Sequence, residues 1–296
     1  MDGLIIKSDW SFDLLKVDEY LFANGRYGDG RRIGGYANEG GISQTNWLGT
    51  QSVQYTPSLP GNHNLNVFAA YEAQKVKTRT IELQGEGFSH PDLNYAASAA
   101  NPTQAYSART DYAFQSYFAR ANYDFNSEYF ASLSVRRDGS SRFGPDKRWG
   151  TFYSVGLGWN MTRLIENTAF IDFLKLRTSY GETGNAGIGN FDWAGLWGFT
   201  RDYDGNPGAA PSQVSNNLLT WESQENFNIG LDATFLDNKI RLNVEYFERT
   251  SSDLLLDRPL SLTTGFTSVA QNIGCLLYTS DAADEGLGVD LGGRRI

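Results

Sequence analysis

The sequence predicts an all-β fold, an antiparallel sheet built to cross a membrane as part of a barrel wall, and three observations predict it. Aromatic residues make up 14% of the 296-residue chain, with 32 glycines and only 8 prolines, which suits many strands joined by tight turns. Apolar residues recur with period two over segments near the roughly 9 to 11 residues that a tilted membrane strand requires. The connections between those segments alternate short and long, as in barrels with tight turns on one side and extended loops on the other.

Six segments carry the alternation. Tyr117, Ala119, Ala121 and Tyr123 alternate with Phe118, Arg120, Asn122 and Asp124, and then Tyr129, Ala131, Leu133 and Val135 share a face against Ser132, Ser134, Arg136 and Asp138. The expected apolar face is lipid-facing, with Arg120, Asn122, Ser132 and Ser134 turned to a wet interior. Tyr153, Val155, Leu157 and Trp159 follow, set against Ser154, Gly156, Gly158 and Asn160; Leu174, Leu176, Thr178 and Tyr180 oppose Lys175, Arg177 and Ser179. The last two segments form a hairpin about Asp237 and Asn238. Pairing Phe235 with Ile240, Ala233 with Leu242, Leu231 with Val244 and Ile229 with Tyr246 makes one face wholly apolar, and sets Asp232 by Asn243 and Gly230 by Glu245 on the other. A slip of one residue would scramble both faces.

Short connections are expected at 57–62, 125–127 and 237–238, and long ones, rich in Gly, Ser, Asn and Asp, at 84–111, 139–149 and 182–225. The connection 160–173 is longer than its neighbours on the short side, and its Thr-Arg-Leu-Ile-Glu run suits one helical turn. Tyr123, Tyr129, Trp159 and Phe235 fall at the short-turn ends of their strands, as an interfacial aromatic girdle would. Phe191, Trp193, Trp197 and Tyr203 lie in the longest loop, where recognition surfaces tend to sit, and are the candidate ligand or lid contacts.

Other classes are excluded or disfavoured. The longest purely apolar runs are only a few residues, such as Leu254 to Leu256, so no helix of the roughly 18 residues needed could span a membrane. A net charge of -9 without a basic stripe argues against nucleic acid. Cys275 is the single cysteine, which leaves no internal disulfide or multi-cysteine metal site. Met1 is not followed by a signal pattern, so a missing N-terminus is expected. Asp202, Asp204 and Asn206 open like a calcium loop, but Pro207 and Gln213 stand where its glycine and bidentate glutamate belong, and a solvated turn is the better reading. Asp232 and Glu245 point to one side of adjacent strands without either being marked as proton-retaining. His63 and His90 are far apart in sequence, and no G-x-S-x-G elbow exists. No catalytic, cofactor-binding or metal-binding residue is expected. Around Arg136 to Gly144 a strand end should feed a turn, with Asp138 capping it and Gly139 free to take positive φ.

The run SYFARANYDFNSEYFASLSVRRDGSSRFG (116–144) resembles the barrel signature of the SusC/RagA family of TonB-linked outer-membrane proteins. RWGTFYSVGLGWNMT (148–162), IDFLKLRTSYGETGNAGIGNF (171–191), LTWESQENFNIGLDATFLDNKIRLNVEYFERTSSDLLL (219–256) and TGFTSVAQNIG (264–274) follow in the family's order. The resemblance implies a 22-stranded barrel with an N-terminal plug in the outer membrane of a Bacteroidetes-type Gram-negative bacterium, energised through TonB-ExbB-ExbD, capped by a SusD-like surface lipoprotein and importing glycans or peptides. About eight to ten strands are countable, so a partial, open-edged barrel occupying 1–274 is expected. Two rivals stand beside this: a soluble carbohydrate-active β-sandwich enzyme, and a TonB-independent porin or adhesin barrel. The tail CLLYTSDAADEGLGVDLGGRRI (275–296) resembles translated sequencing-adapter DNA and is expected to be no domain and to have no defined place in the sheet.

Overall fold

The computed structural model describes residues 3–165 and 170–279. Fourteen strands follow in order: β1 (Leu4–Ala23), β2 (Tyr36–Tyr55), β3 (His63–Glu86), β4 (Asn101–Phe125), β5 (Tyr129–Ser140), β6 (Trp149–Asn160), β7 (Ile171–Asn185), β8 (Leu196–Tyr203), β9 (Asn206–Gln213), β10 (Glu222–Phe235), β11 (Ile240–Ser252), β12 (Leu255–Pro259), β13 (Ser268–Asn272) and β14 (Cys275–Thr279). Ten of them form one sheet in the order β1-β2-β3-β4-β5-β6-β7-β10-β11-β14, while β8–β9 and β12–β13 are separate two-stranded hairpins within long loops. Every neighbouring pair in the large sheet is antiparallel, and the sheet does not close on itself.

Turn chemistry fixes the register at the short-turn end. Between β4 and β5, Asn126 and Ser127 take φ of 60° and 55°, and Glu128 N–H donates to the Phe125 carbonyl at 3.0 Å, a tight hairpin whose twist matches its strands. Between β10 and β11, Leu236, Asp237 and Asn238 are all left-handed, and Lys239 N–H donates to Leu236 at 3.2 Å. The pairs that follow, from Phe235 with Ile240 to Ile229 with Tyr246, are those the alternation requires.

One face of the sheet is apolar and bare. Leu133 is 59% exposed, Leu157 55% and Val244 54%, although all three lie within ladders paired on both sides or at a hairpin centre. No second sheet covers that face among the described residues, so the β-sandwich reading does not hold. The opposite face carries Arg120 beside Ser134, Asn122 beside Ser132, and Lys175 beside Asp232, all in cross-strand register. At the short-turn end Tyr129 stacks on Trp159 at 6.1 Å and on Phe125 at 6.4 Å, and the His63 ring meets Phe125 at 4.6 Å, a band of rings along the apolar face.

The short-turn end is stepped. The β2 strand ends at Tyr55, in register with Val67 of β3, whereas β3 itself begins four residues earlier, at His63, and β10 continues eight residues past Phe227 to Phe235. This stagger across antiparallel neighbours is the shear of tilted strands in a barrel wall.

Several expectations need correction. Half of segment 84–111 is strand: β3 and β4 pair from His63 with Phe125 up to Glu86 with Asn101, leaving 87–100 as the connection. Strands of 20 to 25 residues replace the expected 9 to 11 in β1 to β4: the upper halves of β2, β3 and β4 carry polar residues on both faces and so show no alternation, and in β1 the adjacent Leu14 and Leu15 break it. Gly139 does not take positive φ; it pairs with Gln115 and Trp149 inside the ladder, and Asp138 holds Arg136 instead of capping a turn. Thr162–Ile165 does form one turn, of 3-10 type. Cys275–Thr279 has a defined place, as β14 against Glu248 to Ser252 of β11, while residues 280–296 lie outside the described residues.

Candidate functional site

At the long-loop end, three connections, β5–β6, β7–β10 and β11–β14, fold onto the polar face of the sheet. Phe143, Phe152, Ala186, Leu219 and Trp221 form the buried apolar cluster, with Phe114, Ile188, Trp193, Leu255 and Ala270 packed against it. Phe114 and Phe152 project from β4 and β6, so the loops use the wall itself as half of their core. Trp221 lies edge-on to Phe152 at 5.6 Å and donates its indole N–H to the Arg148 carbonyl at 2.9 Å, which gives a buried ring its polar partner.

Polar side chains stitch the loops together. Arg142 lies over the Tyr112 ring at 4.3 Å, donates from Nε to Asn190 Oδ1 at 3.1 Å and from Nη1 to the Ala186 carbonyl at 3.2 Å. Asn190 donates onward to Thr110 Oγ1 at 2.8 Å. Asn272 and Thr220 bond reciprocally, amide to carbonyl and backbone N–H to side-chain oxygen, each at 2.8 Å, while Asn216 Nδ2 reaches the Ala270 carbonyl at 2.8 Å. Asp192 accepts the Gly189 N–H at 2.6 Å; burial pushes its carboxyl above the usual value, the Gly189 bond opposes this, Asp257 adds to it and Arg142 opposes it. Beneath the loops a cavity of about 670 Å³ is lined by Glu72, Arg136, Asp138, Arg142 and Trp221 among others. Arg136 is fixed there by Asp138, at 2.7 and 2.9 Å from Nε, and by Glu72 at 3.5 Å.

The four loop aromatics are divided between base and tip. Trp193 packs against the buried cluster. Phe191 takes φ of 68°, with Gln213 Nε2 donating to its carbonyl at 2.9 Å. Trp197 and Tyr203 stand on the β8–β9 hairpin, 59% and 86% exposed, together with Phe199 at 76%, a residue not singled out from sequence. Asp202, Asp204 and Asn206 form that hairpin's tip, where Asp204 and Gly205 are left-handed and Gly205 N–H donates to Asp202 Oδ1 at 3.1 Å.

Nearer the short turns, Asp232 and Glu245 do share the polar face, but Arg177 holds both, at 3.3 and 2.9 Å. A guanidinium bridging two carboxylates offsets one of their two charges and holds both in place, which suits a fixed charge cluster rather than proton transfer. His63 bonds the Tyr123 hydroxyl at 2.7 Å while His90 lies 3.4 Å from Asp92, so the two histidines have separate partners. Sequence reasoning missed Arg142, Asn190, Asn216 and Asn272 as a set. Their signal was the failure of alternation in glycine-bearing stretches, which marks loops but not where those loops meet.

The family model described as "TonB dependent receptor-like, beta-barrel" matches residues 4–293. The TonB-dependent receptor P3 of Formosa agariphila is 29% identical over 93% of this chain, and the TonB-dependent receptor SusC of Bacteroides thetaiotaomicron 33% identical over 51% of it. The chain spans 28% of the first relative and 16% of the second. Among solved structures, the RagAB peptide transporter superposes with a TM-score of 0.87 at 28% identity, over 94% of this chain and 31% of that one.

Proposed function

Because the chain belongs to the TonB-dependent receptor-like β-barrel family, we propose that it forms part of the wall of an outer-membrane importer of oligosaccharides or peptides, working with a SusD-like surface lipoprotein and energised through TonB-ExbB-ExbD. In this reading the apolar face meets lipid, the polar face lines the lumen, and the long loops contact substrate and lid. Transport by such a wall asks no covalent chemistry of these residues. The observation that carries the loop assignment is the contrast within one loop: its base is locked by Trp221, Leu219 and Arg142, while Trp197, Phe199 and Tyr203 stand exposed on a hairpin at its tip. Burying such rings requires a partner, and stacking on sugar rings or on peptide side chains are the two chemistries they serve.

Replacing Trp197, Phe199 and Tyr203 with alanine in the full-length parent should cut substrate uptake or lid co-purification at least about tenfold, as clustered aromatic contacts do. Uptake and co-purification both at parental level would remove the hairpin from recognition.

A further inference from the structure

Beyond the upper ends of its apolar stretch, toward the long loops, the apolar face of the sheet continues in β3 and β4 with a change of residue type. Lys75, Lys77 and Arg79 of β3 and Arg109 of β4 share the face of Tyr71 and Tyr117, and register sets Arg79 directly opposite Arg109. Like charges opposite one another on neighbouring strands are destabilising. Asp111 stands opposite Lys77 in register but pairs with Lys75 at 3.6 Å, and Asp18 pairs with Lys16 at 3.0 Å, which leaves the facing Arg79 and Arg109 without a carboxylate between them. Among the described residues no carboxylate forms a salt bridge with Lys77, Arg79 or Arg109, and all three are exposed. With the hydroxyls of Ser43, Thr45 and Ser107 they line a groove of about 510 Å³. Three cations outside any ion pair, two of them arginines set directly opposite each other, on a chain of net charge -9 call for an anion from outside.

We propose that this groove binds the phosphate groups of a phosphorylated glycolipid in the outer leaflet, an inference that rests on the barrel-wall reading above. Height selects the lipid. Lys75 stands four residues and Arg79 eight residues beyond Tyr71, roughly 13 and 26 Å along a strand. With strands tilted by about 40°, these become about 10 and 20 Å above the aromatic level. The headgroup layer of a simple bilayer is only about 5 to 8 Å thick on each side. Lys75 stands just beyond that layer, close enough for its long side chain to reach back to it, whereas Arg79 and Arg109 need a lipid whose sugars and phosphates reach further out. The three hydroxyls give sugar and phosphate oxygens donors between the cations.

The test uses the full-length parent and its K77Q/R79Q/R109Q variant in vesicles of zwitterionic phospholipid containing either lipid A or dephosphorylated lipid A, with retained glycolipid measured by native mass spectrometry. The parent should retain the phosphorylated form at least about tenfold over the dephosphorylated one, and the variant should lose that preference. Heat-resistant gel migration of both proteins checks that the barrel has assembled. Equal retention by parent and variant, or of both lipids by the parent, overturns the proposal; so does loss of a co-purifying protein with glycolipid unchanged, which assigns the groove to a protein partner. A parent that fails to partition into membranes would defeat the barrel-wall reading itself, whereas one that partitions normally without distinguishing the lipids defeats only this proposal.

Discussion

Asp192 shows how one carboxyl couples the loop cluster to pH. Its side chain accepts the Gly189 N–H, and burial, joined by the nearby Asp257 carboxylate, raises its proton affinity more than that bond and Arg142 lower it. The folded loop therefore binds a proton more readily than the unfolded chain. The stability penalty is absent below the ordinary carboxyl value, grows as pH rises through the interval up to the raised value, and is full above it. Loop 186–221 should accordingly be more resistant to heat at pH 4 than at pH 7, followed by the emission of Trp193 and Trp221. Asp192→Asn keeps an oxygen for Gly189 and cannot ionise, so its thermal midpoint should lose this dependence; an unchanged slope would remove Asp192 as the cause. None of this is legible in sequence, because the setting of Asp192 depends on loops that bring Arg142 and Asp257 to it from distant parts of the chain.

At the scale of the element, legibility followed the two-faced strand. The β10–β11 hairpin could be paired residue by residue because apolar side chains alternate without a break from Ile229 to Phe235 and from Ile240 to Tyr246. In β1 the alternation of Ile6, Trp10, Phe12 and Leu14 against Lys7, Asp9, Ser11 and Asp13 breaks at Leu15, so the pattern alone does not mark a strand of its full length. The upper halves of β3 and β4 are polar on both sides and read as loop, since nothing in a watery setting forces one face to be apolar. Gly230 makes the complementary point on the polar face. A Cβ there would stand 2.7 Å from the Arg177 guanidinium carbon, so glycine leaves the groove in which Arg177 reaches both Asp232 and Glu245. Gly230→Val should displace Arg177, leave two carboxylates side by side and lower assembled-barrel stability by about 1 to 3 kcal/mol. Urea midpoints of the parent and of Gly230→Val in detergent would measure it, and equal midpoints would show that the cluster tolerates rearrangement.

At the scale of the whole molecule, the stepped short-turn end means that a line of hydrogen-bonded partners is not a line of constant depth. Starting from Tyr55 the register runs through Val67, Ala121, Leu133, Val155, Tyr180 and Phe227 to Glu248. Tyr55 lies beside a short turn, while Phe227 is eight residues from one. The line crosses seven strand spacings, roughly 34 Å. At a slope of about 40° it climbs close to 22 Å, near the roughly 25 Å height of an apolar barrel band. Its composition changes as a core sample through the bilayer should: an aromatic ring at one interface, aliphatic side chains in the middle, aromatic rings at the other interface, and a carboxylate just outside. Arginine placed singly along this diagonal should thus act as a depth gauge, costing about 2 to 4 kcal/mol at Leu133 and about 0 to 1 kcal/mol at Tyr55 and Phe227. Folding titrations of the full-length parent into vesicles would trace the curve; a flat profile would mean that the strands stand upright and that the diagonal marks no gradient of depth.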